Sequence, residues 1–359
     1  MRCALIEFNE YHEETLPTFV LLLNELGIKP DVYLMPRSIA RDPFGLAPGL
    51  RFRQHRAERI DWLGGLVFAA RRYDLVIVNS MEPPSNAERV AGTKAPLLGT
   101  MHNTELLASE ALYRDFFTAS KRLPLVLGRH IANHFARAGE PLHWIAHVFF
   151  GQVQSRRPSG GPTVFAVSGN VEFNRRDYWA LLDALDELAR EGAPVRVRIV
   201  GRSTNRDGKK LRAEIERRGL SAFIDLSPAE TTHPEFFQLV ADSDFVLPLI
   251  DHSDEHLEPY FETKLASSIP FATGLGVPLV IHSDLAAAYG VGSCGVLYDD
   301  GGLPSAMRAA ISSGEQERAA WRAAVAGVRE ELLAGSLENL RAAIETVVPG
   351  SRPPSSATA

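Results

Sequence analysis

Cysteine is almost missing, with only Cys3 and Cys294 in 359 residues. No Cys-x-x-Cys spacing exists, which excludes a zinc ribbon, a thioredoxin-type redox pair and a disulfide framework and leads us to expect a reducing, cytoplasmic setting. Positive charge is not in excess: 38 Lys and Arg face 44 Asp and Glu, a formal charge of −6. A general nucleic-acid binder needs clustered cations, so that class drops out. No apolar run reaches the roughly eighteen residues that span a membrane, and the stretch from Met1 to Phe8 is too short for a signal peptide. Glycine is missing where phosphate-binding folds often need it, in the turn Asn9 to Glu14 after the first apolar run. The glutamates of that turn oppose a diphosphate. We therefore expect Glu10 and Glu13 to meet hydroxyl groups of a ligand, with His12 as a proton shuttle. The same acids would also suit a helix N-terminus.

What is present is a strand-and-helix alternation in a chain long enough for two cores, 45% hydrophobic and 23% charged. Apolar runs fall at Cys3 to Phe8, Asp31 to Met35, Asp74 to Asn79, Pro96 to Met101, Leu123 to Leu127 and Leu142 to His147. Between the first two, Glu14 to Leu26 has helical periodicity and stops at Gly27. Arg41 to Gln54 lacks periodicity and reads as a loop. Residues 155 to 162 are linker-like. Thereafter strands are expected at Thr163 to Val167, Val195 to Val200, Ala222 to Leu226, Phe245 to Leu249, Pro278 to His282 and Gly295 to Tyr298. Helices are expected between them, at Tyr178 to Arg190, Gly208 to Arg218, His233 to Ala241 and near Lys264 to Thr273. Three more close the chain at Leu303 to Ser313, Gly314 to Leu333 and Leu337 to Val347. The expectation is α/β: two Rossmann-like doubly wound domains, 1–154 and 163–348, facing across a cleft, with a linker at 155–162 and a disordered tail at 349–359.

The segment from Pro259 to His282 is the most informative. Lys264, Ser267 and Ser268 open a small-residue helix, Gly276-Val277-Pro278 closes it, and a buried strand follows. A helix start offers unpaired N–H groups and the positive end of a dipole, a place for a diphosphate. Further segments are Phe165 to Asn170 followed by Asn174 to Asp177, Val197 to Gly201, and Ala241 to Leu249. Together these make the chain resemble retaining glycosyltransferases of the GT-B fold, of the family 4 type.

That resemblance implies a second domain that holds a nucleoside-diphosphate sugar and a first domain that holds the acceptor. It implies donor-diphosphate contacts from Arg175 or Arg176, Lys264, Ser267 and Ser268, with Asn170 where the family often has a cation. Arg175 and Arg176 also suit a capped surface turn before Asp177. The family's pair of glutamates seven residues apart is not intact, since Thr263 and Phe271 occupy the aligned positions. Glu255, Glu258 and Glu262 are the nearby acids able to accept bonds from ribose or sugar hydroxyls. In the first domain, Pro96 to Asn103 reads as a strand delivering His102 to the cleft; the resemblance implies a place near the donor sugar for His102 and an acceptor side at Glu10, Glu13 and Asn103. Asp251 to His256 contains metal-ligating residue types in a solvated loop, and no metal or resident cofactor is expected. Arg51, Arg53, Arg56, Arg59, Arg71 and Arg72 bracket an apolar stretch from Trp62 to Phe68, a candidate for contact with anionic lipid.

The expected activity is transfer of a sugar from a UDP- or GDP-type donor to a hydroxyl acceptor, a glycan, a lipid-linked acceptor or a small molecule, with retention. Two other readings stay open: a sugar-nucleotide 2-epimerase of the same fold, and a non-catalytic nucleotide- or carbohydrate-binding module.

Overall fold

The computed structural model describes residues 1–58, 73–157, 160–227 and 231–350. Among them the chain forms two compact units, one of the described residues within 1–152 with 263–265 and those from 332 to 350, the other of those within 153–262 and 266–331. Each is built on one fully parallel sheet.

In the first unit the strands are β1 Cys3–Ile6, β2 Asp31–Leu34, β3 Arg53–Arg56, β4 Leu75–Val78, β5 Leu97–Met101, β6 Arg122–Val126 and β7 His143–Trp144. Their order in the sheet is β3-β2-β1-β4-β5-β6-β7. Side chains alternate across the sheet with the period of two that a pleated strand imposes. Cys3 and Leu5 pack with the helix Leu16–Glu25 and with Leu340, Ala343 and Ile344, whereas Ala4 and Ile6 pack with Ala87, Val90, Tyr113 and Phe116. Both faces are covered, as continuous apolar strands require.

The second unit contains β8 Thr163–Ser168, β9 Val195–Val200, β10 Ile224–Leu226, β11 Phe245–Val246, β12 Leu279–His282 and β13 Gly295–Tyr298. Their order is β10-β9-β8-β11-β12-β13. Phe165 and Val167 face one core with Tyr178, Leu181 and Met307, and Ala166 faces another with Val246, Ala272 and Val325. In each sheet the chain winds outward from the first strand and then crosses to its other side. The switch points lie between β1 and β4 and between β8 and β11, where such folds bind ligands beyond the carboxyl ends of the strands.

Four local expectations are corrected. Arg53 and Gln54 belong to β3, not to a loop; this edge strand, Arg-Gln-His-Arg, is charged because it carries no buried face, so periodicity is silent there. The strand expected over Phe245 to Leu249 stops at Val246, ahead of Pro248 and of Leu249, whose φ is +56°. A helix does not open near Lys264 but at Ser268, with Asn103 and Lys264 instead forming an isolated antiparallel bridge. Starting at Ser268 leaves Pro270 in the first turn, where its missing N–H costs nothing.

The fourth correction concerns the end of the chain. Glu315–Val347 is a single 33-residue helix, not two. Gly335 is not a break: a Cβ there would stand 2.7 Å from the Trp144 ring, so glycine permits a close approach. Beside it, Ser336 Oγ accepts from the Ala146 N–H at 2.9 Å and Asn339 Oδ1 from the Trp144 N–H at 3.4 Å. The second domain, expected over 163–348, gives up its last segment: residues from Leu332 group with the first unit.

Arg59, Arg71, Arg72, the stretch from Trp62 to Phe68 and most of the expected tail lie outside the described residues. Among the described residues, no helix is long and apolar enough to cross a membrane.

Candidate functional site

Three neighbouring strands of the first unit each end in a polar residue. Glu7 follows β1, Asn79 and Ser80 follow β4, and His102 follows β5; the register pairs Ile6 with Val78 and Val78 with Gly99, so β1 and β4 end level while β5 runs on to Met101 before delivering His102. Glu7 is fully buried. Its Oε2 accepts from Asn79 Nδ2 at 2.5 Å and Ser80 Oγ at 2.6 Å, and its Oε1 from the Asn9 N–H at 2.7 Å. Burial pushes its carboxyl up to about 7, against the pull of Ser80, the positive charge of His12 and the other donors.

His102 Nε2 lies 2.9 Å from the Asn79 carbonyl oxygen and 3.1 Å from Ser80 Oγ. A carbonyl only accepts, so Nε2 carries the proton and Nδ1 keeps its lone pair. Burial and the neighbouring His12 charge hold this ring neutral, well below the ordinary histidine range, although the bond to Asn79 opposes them. The backbone N–H groups of His102 and Asn103 both donate to Glu82 Oε1, at 2.9 and 2.8 Å. Glu82 is itself raised by burial, which outweighs those donors.

His12 stacks on His102 with ring centroids 3.9 Å apart and planes 28° from parallel. Its backbone is left-handed, φ +72°, a conformation that a non-glycine residue adopts at a cost of about 1–3 kcal/mol. The carbonyl of His12 offsets that cost by accepting from Asn79 Nδ2 at 3.0 Å and from the Thr15 N–H at 3.2 Å. Burial disfavours charge on His12, yet its bond to Glu14 and the charges of Glu14, Glu7 and Glu82 outweigh this and raise its pKa. One ring of the stack is thus pushed toward the imidazolium and the other away from it, the separation that marks acid/base pairs.

Around this cluster, Glu10 pairs with Arg37 at 3.2 Å, and fully buried Glu13 pairs with Arg41 at 3.0 Å. Asn103 and Lys264 are brought together by their backbone bridge, and Lys264 Nζ lies 3.8 Å from Glu105. The Lys264 carbonyl accepts from His130 Nε2 at 3.0 Å. Lys264 therefore groups with the first unit, whereas Ser267 and Ser268 belong to the second.

The strand ends of the second unit are built differently. Gly169 and Gly201 take positive φ, and a Cβ on Gly201 would sit 2.2 Å from the Gly169 carbonyl, so two loops meet there on glycine alone. Arg176 is buried and turned inward, donating to the carbonyls of Ser168 and Asn170. Arg175 is 60% exposed and bonds Glu172 at 2.5 Å. Asn170 is exposed and accepts from the Arg202 N–H at 3.3 Å. Ser268 is fully buried with an unpartnered hydroxyl at the first position of its helix, and Ser267 stands in the cap position without a side-chain bond.

Of the acids expected near ribose or sugar, Glu258 bonds His252 Nδ1 at 2.7 Å, Glu262 closes the short helix Pro259–Glu262, and Glu255 is exposed. His252, His282 and Asp284 bring possible ligand atoms within 4.8 Å of one another. All four ring nitrogens already have protein partners: His252 with Glu258 and Asp284, His282 with Asp300 and the Asp284 N–H. The contacts place this group as a hydrogen-bonded network on the rim of the second sheet.

Sequence reasoning missed Glu7, Asn79, Ser80 and Glu82. The signal that singled out His102, a polar residue just past a buried apolar run, applies equally to Glu7 after Cys3–Ile6 and to Asn79 after Leu75–Val78.

Two parallel doubly wound sheets with this strand order define the GT-B class of fold, two Rossmann-like domains in one chain. No protein-family model matches the chain, and no curated protein matches it in sequence. Solved structures do. The Anabaena protein HepE in complex with UDP and glucose is similar with a TM-score of 0.65 at 16% identity, over 95% of this chain and 99% of that one. A glycosyltransferase from Rickettsia africae gives 0.63 at 10% identity over 98% and 99%. Sucrose-phosphate synthase from Thermosynechococcus elongatus gives 0.58 at 12% identity over 96% of each chain.

Proposed function

We propose that this protein is a glycosyltransferase that moves a sugar from a nucleoside-diphosphate donor, of the UDP or GDP type, to a hydroxyl acceptor. The observation that carries the reading is the end-to-end likeness of both sheets to a structure holding UDP and glucose. In this reading the second unit holds the donor. Arg175, Ser267 and Ser268 meet the diphosphate with Lys264, Arg176 braces the loop through Gly169, and Glu255, Glu258 and Glu262 serve the sugar or ribose. The first unit holds the acceptor near Glu10, Glu13 and Asn103, with His102 and His12 at the reacting groups. We further propose retention, no resident metal or cofactor, and a cytoplasmic setting in which the buried thiols of Cys3 and Cys294 stay reduced.

A second reading, sugar-nucleotide epimerisation, is favoured by the density of acid/base groups at Glu7, His12, Glu82 and His102. Thermal-shift screening against UDP, GDP, ADP, TDP and CMP identifies the donor base, since a ligand of the native state raises Tm. Turnover of the matching sugar nucleotide is then followed with and without acceptors. Transfer supports the first reading, an epimer formed from donor alone supports the second, and saturable binding without turnover leaves a binding module. Unchanged turnover in both His102→Ala and Lys264→Ala rejects the site.

A further inference from the structure

We propose that Glu7 is the proton acceptor at the inner end of a relay, His102 to Ser80 to Glu7, whose outer end is the Nδ1 atom of His102. Glu7 is a positioning residue: it acts on a substrate only through Ser80 and His102. The substrate side of the inference rests on the sugar-transfer reading; the relay itself rests on hydrogen-bond directions.

Those directions leave one arrangement. Nε2 of His102 must donate, because one of its two neighbours is the Asn79 carbonyl. Ser80 Oγ, 3.1 Å from the same nitrogen, has a single proton, and the Glu7 carboxylate oxygen 2.6 Å away takes it. The Ser80 oxygen therefore turns a lone pair to Nε2. Among the described residues Nδ1 has no protein partner, and it is not one of their buried unpartnered atoms, so it is open to a substrate hydroxyl. Asn79 and the Asn9 N–H pin the carboxylate, and no Lys or Arg pairs with it among the contacts made by Glu7. The titratable groups that face the relay are Tyr11, His12, Glu14, Glu82 and His147.

The step balances. A substrate hydroxyl gives its proton to Nδ1, the Nε2 proton passes to Ser80 Oγ, and the Ser80 proton passes to Glu7 Oε2. The imidazole ends neutral in its other tautomer, the carboxylate becomes a carboxyl, and the negative charge moves to the substrate oxygen that attacks the sugar carbon. The departing diphosphate or water then takes the Nδ1 proton and the relay resets. Burial, which raises Glu7 to about 7, lets it hold a proton near neutrality.

Two readouts need no donor. Long-range proton–nitrogen NMR of histidine-labelled protein, assigned with His102→Gln, is expected to show Nε2–H and an unprotonated Nδ1. Infrared difference titration is expected to show a carboxyl band that titrates near neutral pH and vanishes in Glu7→Gln. A protonated Nδ1, or no such band, overturns the relay whatever the protein transfers. Once a donor is in hand, Glu7→Gln and Ser80→Ala should each lower kcat about 10- to 100-fold with donor KM little changed, and Ser80→Thr, which keeps the hydroxyl, should restore much of it. The near-neutral limb of the pH profile should disappear in Glu7→Gln. If the native protein turns over a donor and both variants keep its kcat and pH profile, the relay fails while the activity stands. If no donor is turned over, the NMR and infrared results decide the relay alone.

Discussion

The two units share one strand order over six strands, with β7 added at the edge of the first, yet they finish their strands in opposite ways. At the switch point of the first, buried groups are stripped of solvent: Glu7 is raised and His102 and His147 are lowered, chiefly by burial. At that of the second, arginine is spent on backbone carbonyls and glycines let loops touch, while His252 is raised by its bond to Glu258 and, further, by Asp284. One end is poised for proton transfer and the other is shaped for a ligand to rest on. A shared topology therefore fixes where a site lies, and the residue after each strand fixes what it can do.

The largest break in the comparison should come from acid. Buried His130 and His147, each lowered to about 4 chiefly by burial, lend the first unit stability that is complete above the unfolded value near 6.5 and is lost as pH falls toward 4. Each is worth on the order of 3 kcal/mol. His252 has the opposite sign, since its raised value gives stability that persists in acid and is lost as pH rises. Hydrogen exchange at pH 7, 5 and 4 should show peptides of β5 and β6 losing protection before those of β8 and β9; simultaneous loss would contradict the assignment.

Next in size is Glu7. Its raised carboxyl stabilises the folded state below about 4.5 and gives that up as pH climbs to about 7. Glu7→Gln removes this term, so the stability difference between native and variant should shrink by roughly 3 kcal/mol from pH 4.5 to 7. Urea unfolding at the two pH values measures it.

Glycine contacts come third. Gly201→Ala, at φ +149° with its Cβ 2.2 Å from a carbonyl, should lose about 2–4 kcal/mol. Gly335→Ala meets only the edge of the Trp144 ring and should lose about 1 kcal/mol or less. Denaturant midpoints rank the two, and a reversed order would show that the ring cannot yield. Smallest is Arg175→Ala: its exposed pair with Glu172 should be worth under about 0.5 kcal/mol of unfolding free energy, while donor KM rises severalfold if the side chain meets the diphosphate.

The fold was legible because buried parallel strands have to be apolar runs, and runs such as Cys3 to Ile6 and Leu75 to Val78 show themselves without any partner. β3 was not, since an edge strand of Arg, Gln, His and Arg owes its existence to β2 beside it. The helix break expected before Leu337 failed for a related reason: Gly335 answers to Trp144, nearly two hundred positions away, and not to its own helix.

The site divides along the same line. His102 could be picked out because one strand and its terminus are local facts. That Glu7, Ser80 and His102 meet was decided by sheet order, which sets β1, β4 and β5 side by side although about 95 residues separate the first from the last. Arg176 and Arg175, neighbours of one chemistry in the sequence, received opposite fates for the same reason: one found buried carbonyls to brace and the other an exposed pair with Glu172. Sequence determines which residues can be charged, apolar or bent. Burial and neighbours decide which of them keep a proton, because the desolvation that moves a pKa exists only once other parts of the chain have displaced the water.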